Sequence, residues 1–144
     1  MTLKATRTAQ TPLVAVFEWN FNDTMVDTSG ASKNFGSSDL AITVDAVNLP
    51  VNSRVIGGEL VVLTAFDTAG YDITIGDATT ANRYLTSTDV KATGRTALVP
   101  TGYVNAAGEN LRVTIASDDA CTTGKARLTV EYIIEGRVSE VVPA

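Results

Sequence analysis

The chain has 144 residues, a formal net charge of −5 and no histidine, which excludes a Cys–His nucleophile pair. Hydrophobic residues make up 44% and charged residues 19%, enough for one domain with a real core and too apolar for wholesale disorder. The eleven Lys and Arg residues are scattered, whereas a phosphate-binding surface needs them clustered, so nucleic acid is not an expected partner.

Polarity comes largely from Thr, Asn, Ser and Gly. The abundance of Thr and Val, both β-branched, favours strands before any pattern is read. The N-terminus lacks the charged, apolar and small-residue succession of a signal peptide. No stretch approaches the roughly 18 apolar residues of a membrane span. The expectation is synthesis in the cytoplasm, no membrane partner, and departure only as part of an assembly.

Residues 1–12 read as an arm, Thr-rich and locally basic through Lys4 and Arg7, with no acid before Glu18 and closed by Pro12. It is either a frayed terminus or a segment that docks on an acidic neighbour. The remainder, 13–144, reads as one domain. Val14–Phe21 is the first strand, with Phe17, Trp19 and Phe21 on one face and Val14, Val16, Glu18 and Asn20 on the other. Residues 22–39 form a long polar connection of the kind that is usually functional or excursive. Leu40, Ile42, Val44 and Ala46 alternate with Thr43 and Asp45 as a second strand, which Pro50 ends.

Arg54–Phe66 is the most apolar segment, and Gly57-Gly58 inside it suggests a bulge or close backbone approach. From Leu60 on, both faces are apolar, the pattern of a central strand covered on both sides. Asp67–Gly70 is a turn, Ile73 and Ile75 open a short strand, and Tyr84–Lys91 could make one or two helical turns but lacks a long apolar stripe. Weak strands around Ala97–Val99 and Gly102–Val104 flank Pro100. Leu111, Val113 and Ile115, then Leu128, Val130, Tyr132 and Ile134, alternate with polar residues and read as a final antiparallel pair. These strands and turn signals predict an all-β chain, a two-layer antiparallel sandwich. Eight strands in two Greek keys would make it a jelly roll.

Candidate chemistry is thin. Asp23 and Asp27 could offer oxygens to calcium, but their spacing matches no EF-hand loop, and turn acids bonding their own backbone are the favoured explanation. Asp118 and Asp119 are adjacent, so their side chains diverge and do not form a paired acid and base. Cys121 lies in a polar run and reads as a surface thiol, and alone it cannot form an intramolecular disulfide. No P-loop and no GxSxG elbow occurs. Trp19, Tyr84, Tyr103 and Tyr132 could stack on a sugar. Strand alternation places Trp19 and Tyr132 in the core and leaves Tyr84 and Tyr103 as the freer pair. No catalytic residue, metal ligand or cofactor site is expected.

Three stretches, Arg54-Val55-Ile56-Gly57-Gly58-Glu59-Leu60-Val61-Val62, Ile75-Gly76-Asp77-Ala78 through Asn82-Arg83-Tyr84-Leu85, and Ala126-Arg127-Leu128-Thr129-Val130-Glu131-Tyr132, together resemble the cement (decoration) proteins of short-tailed bacteriophages. The likeness spans roughly residues 50–137. It implies a jelly-roll structural protein on the capsid surface, partnered by the major capsid protein and by itself as a dimer or trimer, with no enzymatic activity. On that reading Thr2, Leu3, Lys4 and Arg7 of the arm, with Leu60, Val62 and Tyr84, are the expected partner interface. A carbohydrate- or receptor-binding sandwich on the virion, or a head–tail or tail structural protein, are the rival expectations.

Overall fold

A computed structural model describes residues 6–8, 11–36, 41–136 and 139–141. Among these there is no helix, and the strands are β1 (Thr6–Thr8), β2 (Leu13–Asn20), β3 (Thr24–Val26), β4 (Ser32–Asn34), β5 (Ile42–Val47), β6 (Ser53–Thr64), β7 (Tyr71–Gly76), β8 (Leu85–Asp89), β9 (Gly94–Ala97), β10 (Val104–Asn105), β11 (Leu111–Ser117), β12 (Lys125–Ile134) and β13 (Ser139–Val141). One larger sheet runs β10-β6-β12-β2 with β9 also on β6, and the other runs β5-β11-β7-β8. Two ribbons, β1-β13 and β3-β4, complete the set. All pairings are antiparallel.

The alternation read from the sequence is what builds the core. Ala126, Leu128 and Val130 of β12, Leu60 and Val62 of β6 and Trp19 of β2 are buried. They join Leu111, Val113 and Ile115 of β11, Ile73 and Ile75 of β7 and Ile42 and Val44 of β5 in one hydrophobic cluster between the larger sheets. Each fully buried Leu or Ile side chain contributes about 1.5–3 kcal/mol relative to exposure. Outside the core, Thr43 and Thr114 hydroxyls meet at 3.1 Å and Arg112 pairs with Asp45 at 2.8 Å across β11 and β5.

The structure corrects several expectations. β11 and β12 do not pair: β11 sits between β5 and β7, β12 between β6 and β2. Both strands show the alternation of a half-buried strand, and alternation carries no information about which sheet a strand joins. Residues 118–124 carry the chain across instead. Asp118 N–H donates to Gly70 O at 2.9 Å, Cys121 N–H to Gly36 O at 2.8 Å, and Thr122 and Thr123 N–H to Asp67 Oδ1 at 2.7 and 3.0 Å. Cys121 is therefore buried rather than a surface thiol.

Tyr84–Lys91 is not helical: its centre is β8, paired with β7. The stretch has no apolar stripe, so a sheet edge outcompetes a helix that could bury nothing. The connection 22–39 holds the β3–β4 hairpin and delivers Phe35 into the core against Trp19, ring centroids 6.0 Å apart. The strand Leu60–Phe66 is covered on one side only, since Val61 and Ala65 are half-buried and Leu63 is 39% exposed. The bulge expected beside Gly57-Gly58 is present, as the register against β12 slips between Gly57 and Val55. At Gly58 (φ +140°) an added Cβ would lie 2.3 Å from Thr129 O, so only glycine allows this approach.

Candidate functional site

Two places on the surface are organised beyond what the core requires. The first is the turn after β7. Gly76 is packed so closely under it that a Cβ would lie 2.1 Å from Thr80 O. Asp77, buried, then accepts from Thr79 N–H at 3.0 Å and Thr80 N–H at 2.7 Å, and from Arg83 Nε at 2.5 Å. Arg83 also donates to Thr80 Oγ1 at 3.2 Å. The Asp77 carboxylate raises the Arg83 guanidinium further above its ordinary value. The guanidinium lies over the Tyr103 ring, its Cζ 3.5 Å from the centroid, a cation–π contact that ties the β7–β8 turn to the segment before β10.

Beside this pair an open cleft of about 370 Å³ lies between the edge strands β8 and β9, lined among others by Arg83, Thr86, Thr88, Thr96, Ala97 and Val99. Tyr84 forms its floor but is 3% exposed, and burial pushes its hydroxyl up to about 12. It is not a free stacking platform, and its partner Tyr103 is half-buried under Arg83. Motif stretch 75–85, singled out in the sequence, is thus a structural turn whose charges satisfy each other.

The second place is the outer edge of β2. Val14 and Val16 are 60% and 59% exposed, while Leu13, Ala15 and Phe17 on the core side are half-buried. Lys125 pairs with Glu18 at 2.9 Å on the outer face. β2 pairs with β12 from Leu13↔Tyr132 to Asn20↔Lys125 without a break in register. Beyond that ladder in the chain, β1 and β13 pair Thr6↔Val141, Arg7↔Glu140 and Thr8↔Ser139 as a two-stranded ribbon.

Of the expected interface residues, Thr2, Leu3 and Lys4 lie outside the described residues. Arg7 stands opposite Glu140 in the backbone register. Leu60, Val62 and Tyr84 are core residues at 1%, 7% and 3% exposure, so their side chains offer no surface to a partner in the isolated chain. Alternation marked them as apolar but could not separate core from contact. Alternation set Val14 and Val16 on the face opposite the aromatic residues, but nothing in the sequence says that this face is exposed or that β2 is a sheet edge.

The acids noted in the sequence close turns. Asp27 Oδ1 accepts from Ser29 N–H at 2.9 Å and Ala31 N–H at 3.1 Å, and the Ser29 hydroxyl holds its carboxyl below the usual range. Asp23 Oδ2 accepts from Asn20 N–H at 2.7 Å. Burial pushes the Cys121 thiol up, with the Asp67 charge adding to it. Among the described residues no group of three or more His, Cys, Asp or Glu could hold a metal ion, and no helix is long and apolar enough to cross a membrane.

No family model matches the chain, and no curated protein matches it. Solved structures do. A chain of the cyanophage Pam1 capsid asymmetric unit is 23% identical with a TM-score of 0.57, over 93% of this chain and 94% of that one. A chain of the capsid structure of Helicobacter pylori bacteriophage KHP30 is 17% identical with a TM-score of 0.62, over 99% and 100%. A chain of the Ralstonia phage GP4 capsid is 14% identical with a TM-score of 0.50, over 93% and 90%. This chain therefore shares its all-β fold, over nearly its whole length, with chains solved within three bacteriophage capsids.

Proposed function

We propose that this chain is a structural protein of a bacteriophage virion, a cement protein that binds the outside of the capsid shell and clamps neighbouring major-capsid subunits. The observation that carries the reading is the fold likeness to chains of matching length in three phage capsids. Its strand order supports the jelly-roll architecture that the reading implies. Counting β9 and β10 as one interrupted strand, the sheets run β2-β12-β6-β9/β10 and β5-β11-β7-β8. Early and late strands alternate in each sheet, as two Greek keys interleave.

The role needs no catalysis, cofactor, nucleic acid or membrane. Its partners are the major capsid protein and further copies of itself, its place is the capsid surface, and its synthesis is in the host cytoplasm. A clamp that binds only the assembled shell stabilises that shell by mass action. Many weak copies on one particle add through effective concentration. A stiff two-sheet core with satisfied turns suits such a part.

The test is stoichiometry: purified particles are weighed for this protein against the major shell protein. Hundreds of copies in a simple ratio to the shell subunit support the cement role. A handful of copies would replace it with a joining or fibre component, and absence from the particle would overturn it.

A further inference from the structure

We propose that the open edge of β2 is a two-fold self-association site, on which β2 of a second copy pairs antiparallel with Val16 opposite Val16. The inference deepens the self-partnering named above and rests on that reading only for its biological setting.

The sheet edges are not alike. β5 is shielded where Thr28 N–H donates to Thr43 O at 2.9 Å. β8 is short and breaks register against β7. The β9/β10 edge is interrupted around Pro100. β2 is eight residues long, regular, and carries neither a Lys, a Pro nor a bulge. Among the described residues no strand pairs with its outer side. Natural proteins rarely leave such an edge unprotected unless a strand is added to it.

The pairing pattern fixes which groups wait there. Phe21 N–H donates to Gly124 O at 2.9 Å, so by alternation Trp19, Phe17, Ala15 and Leu13 bond toward β12, and Val14, Val16, Glu18 and Asn20 point outward. Asn20 is already used: its N–H donates to Asp23 Oδ2 at 2.7 Å and its carbonyl accepts from Asp23 N–H at 3.1 Å. At the other end Pro12 has no N–H to give. The available run is therefore Val14, Val16 and Glu18, bounded symmetrically about Val16.

That symmetry identifies the occupant as a second copy. A two-fold axis at Val16 sets Val16 opposite Val16 and Val14 opposite Glu18 of the other copy. Each opposed pair then exchanges both backbone hydrogen bonds. Moving the axis toward Pro12 wastes an acceptor, and moving it toward Asn20 meets the Asp23 cap. Centring on Glu18 would oppose two like charges. At Val16 the two Glu18 carboxylates stay four residues apart, each beside its own Lys125. On the core side, half-buried Phe17 stands opposite Ala15, large against small, and the valines form one apolar strip on the outer face. Such a contact is isologous and closes on itself.

Cysteine pairing in the full chain tests the register. Opposed hydrogen-bonded residues lie about 5.5 Å apart at Cα, within disulfide reach, whereas Val14 and its two-fold mate would be separated by about 13 Å. Val16→Cys should link to itself on mild oxidation, Val14→Cys should not, and Val14→Cys mixed with Glu18→Cys should give the linked heterodimer. Wild type, whose Cys121 is buried, is the unlinked control. Separately, Val16→Pro removes the central N–H from each copy at an outward position an edge strand tolerates. It should weaken dimerisation by roughly tenfold or more in sedimentation velocity, with the thermal melt retained. A wild type that stays monomeric over about a hundredfold range of concentration, self-linking by Val14→Cys, or undiminished association of Val16→Pro would overturn the site. So would a Val16→Pro protein that dimerises normally yet loses attachment to particles, which would assign the edge to a shell subunit. None of these outcomes bears on particle stoichiometry, so the cement reading stands or falls separately.

Discussion

Asp77 is the residue whose removal has the clearest consequence. It is 6% exposed, holds two backbone N–H groups and pairs with an Arg83 side chain that is itself 14% exposed. Asp77→Ala leaves a largely buried guanidinium without its counter-charge, which destabilises by about 3 kcal/mol. Urea unfolding should show it as a lowered midpoint at unchanged slope. Gly124 makes a second residue-scale case. Its φ is +152°, and an added Cβ would lie 2.2 Å from the Phe66 ring, which is stacked on Tyr71 at 4.1 Å between centroids and cannot retreat freely. Gly124→Ala should destabilise by about 2 kcal/mol through overpacking. A melt equal to wild type would mean that the stack yields.

At the scale of elements, the crossing from β11 to β12 decides the architecture, and Asp67 anchors it. Its carboxylate accepts from the Thr122 hydroxyl and from the N–H groups of Thr122 and Thr123. The Thr122 hydroxyl first, then the two amides, lower it from the usual 3.8 to about 2. A carboxyl depressed in the folded state stabilises above its unfolded value, and that contribution is lost as pH falls through the folded one. The expected window is therefore from just below pH 4 down to about pH 2. Asp67→Asn should be less stable than wild type at neutral pH, and the gap should close across that window. A gap independent of pH would show that shape rather than charge holds the crossing.

For the whole molecule, the core and the surface features separate cleanly. The two sheets enclose one apolar cluster, whereas β1 and β13 make their ribbon with each other, beyond the β2–β12 ladder. A two-stranded ribbon has little independent stability, so its removal should leave the melt of the domain nearly unchanged. Deletion of residues 2–11 takes away the basic arm with Lys4 and Arg7. On the proposed function it should weaken binding to capsids in a pull-down on particles while preserving the fold. Undiminished binding by the folded, truncated chain would rule out the arm as a clamp.

The sequence by itself determined the class of the fold, because alternation along Leu111–Ile115, Leu128–Val130 and Ile42–Val44 records burial on one face, and burial on one face is local information. It also marked the bulge at Gly57-Gly58, where a missing side chain has a backbone consequence. Tertiary structure alone decided that β11 and β12 lie in different sheets, that Tyr84 and Cys121 are buried, and that β2 is an edge. Each of these depends on which distant segment lies alongside, and side-chain periodicity is the same whatever the neighbour. The Asp77–Arg83 pair needed both: its residues stood out in the sequence, but only the turn over Gly76 showed that their charges are spent on each other.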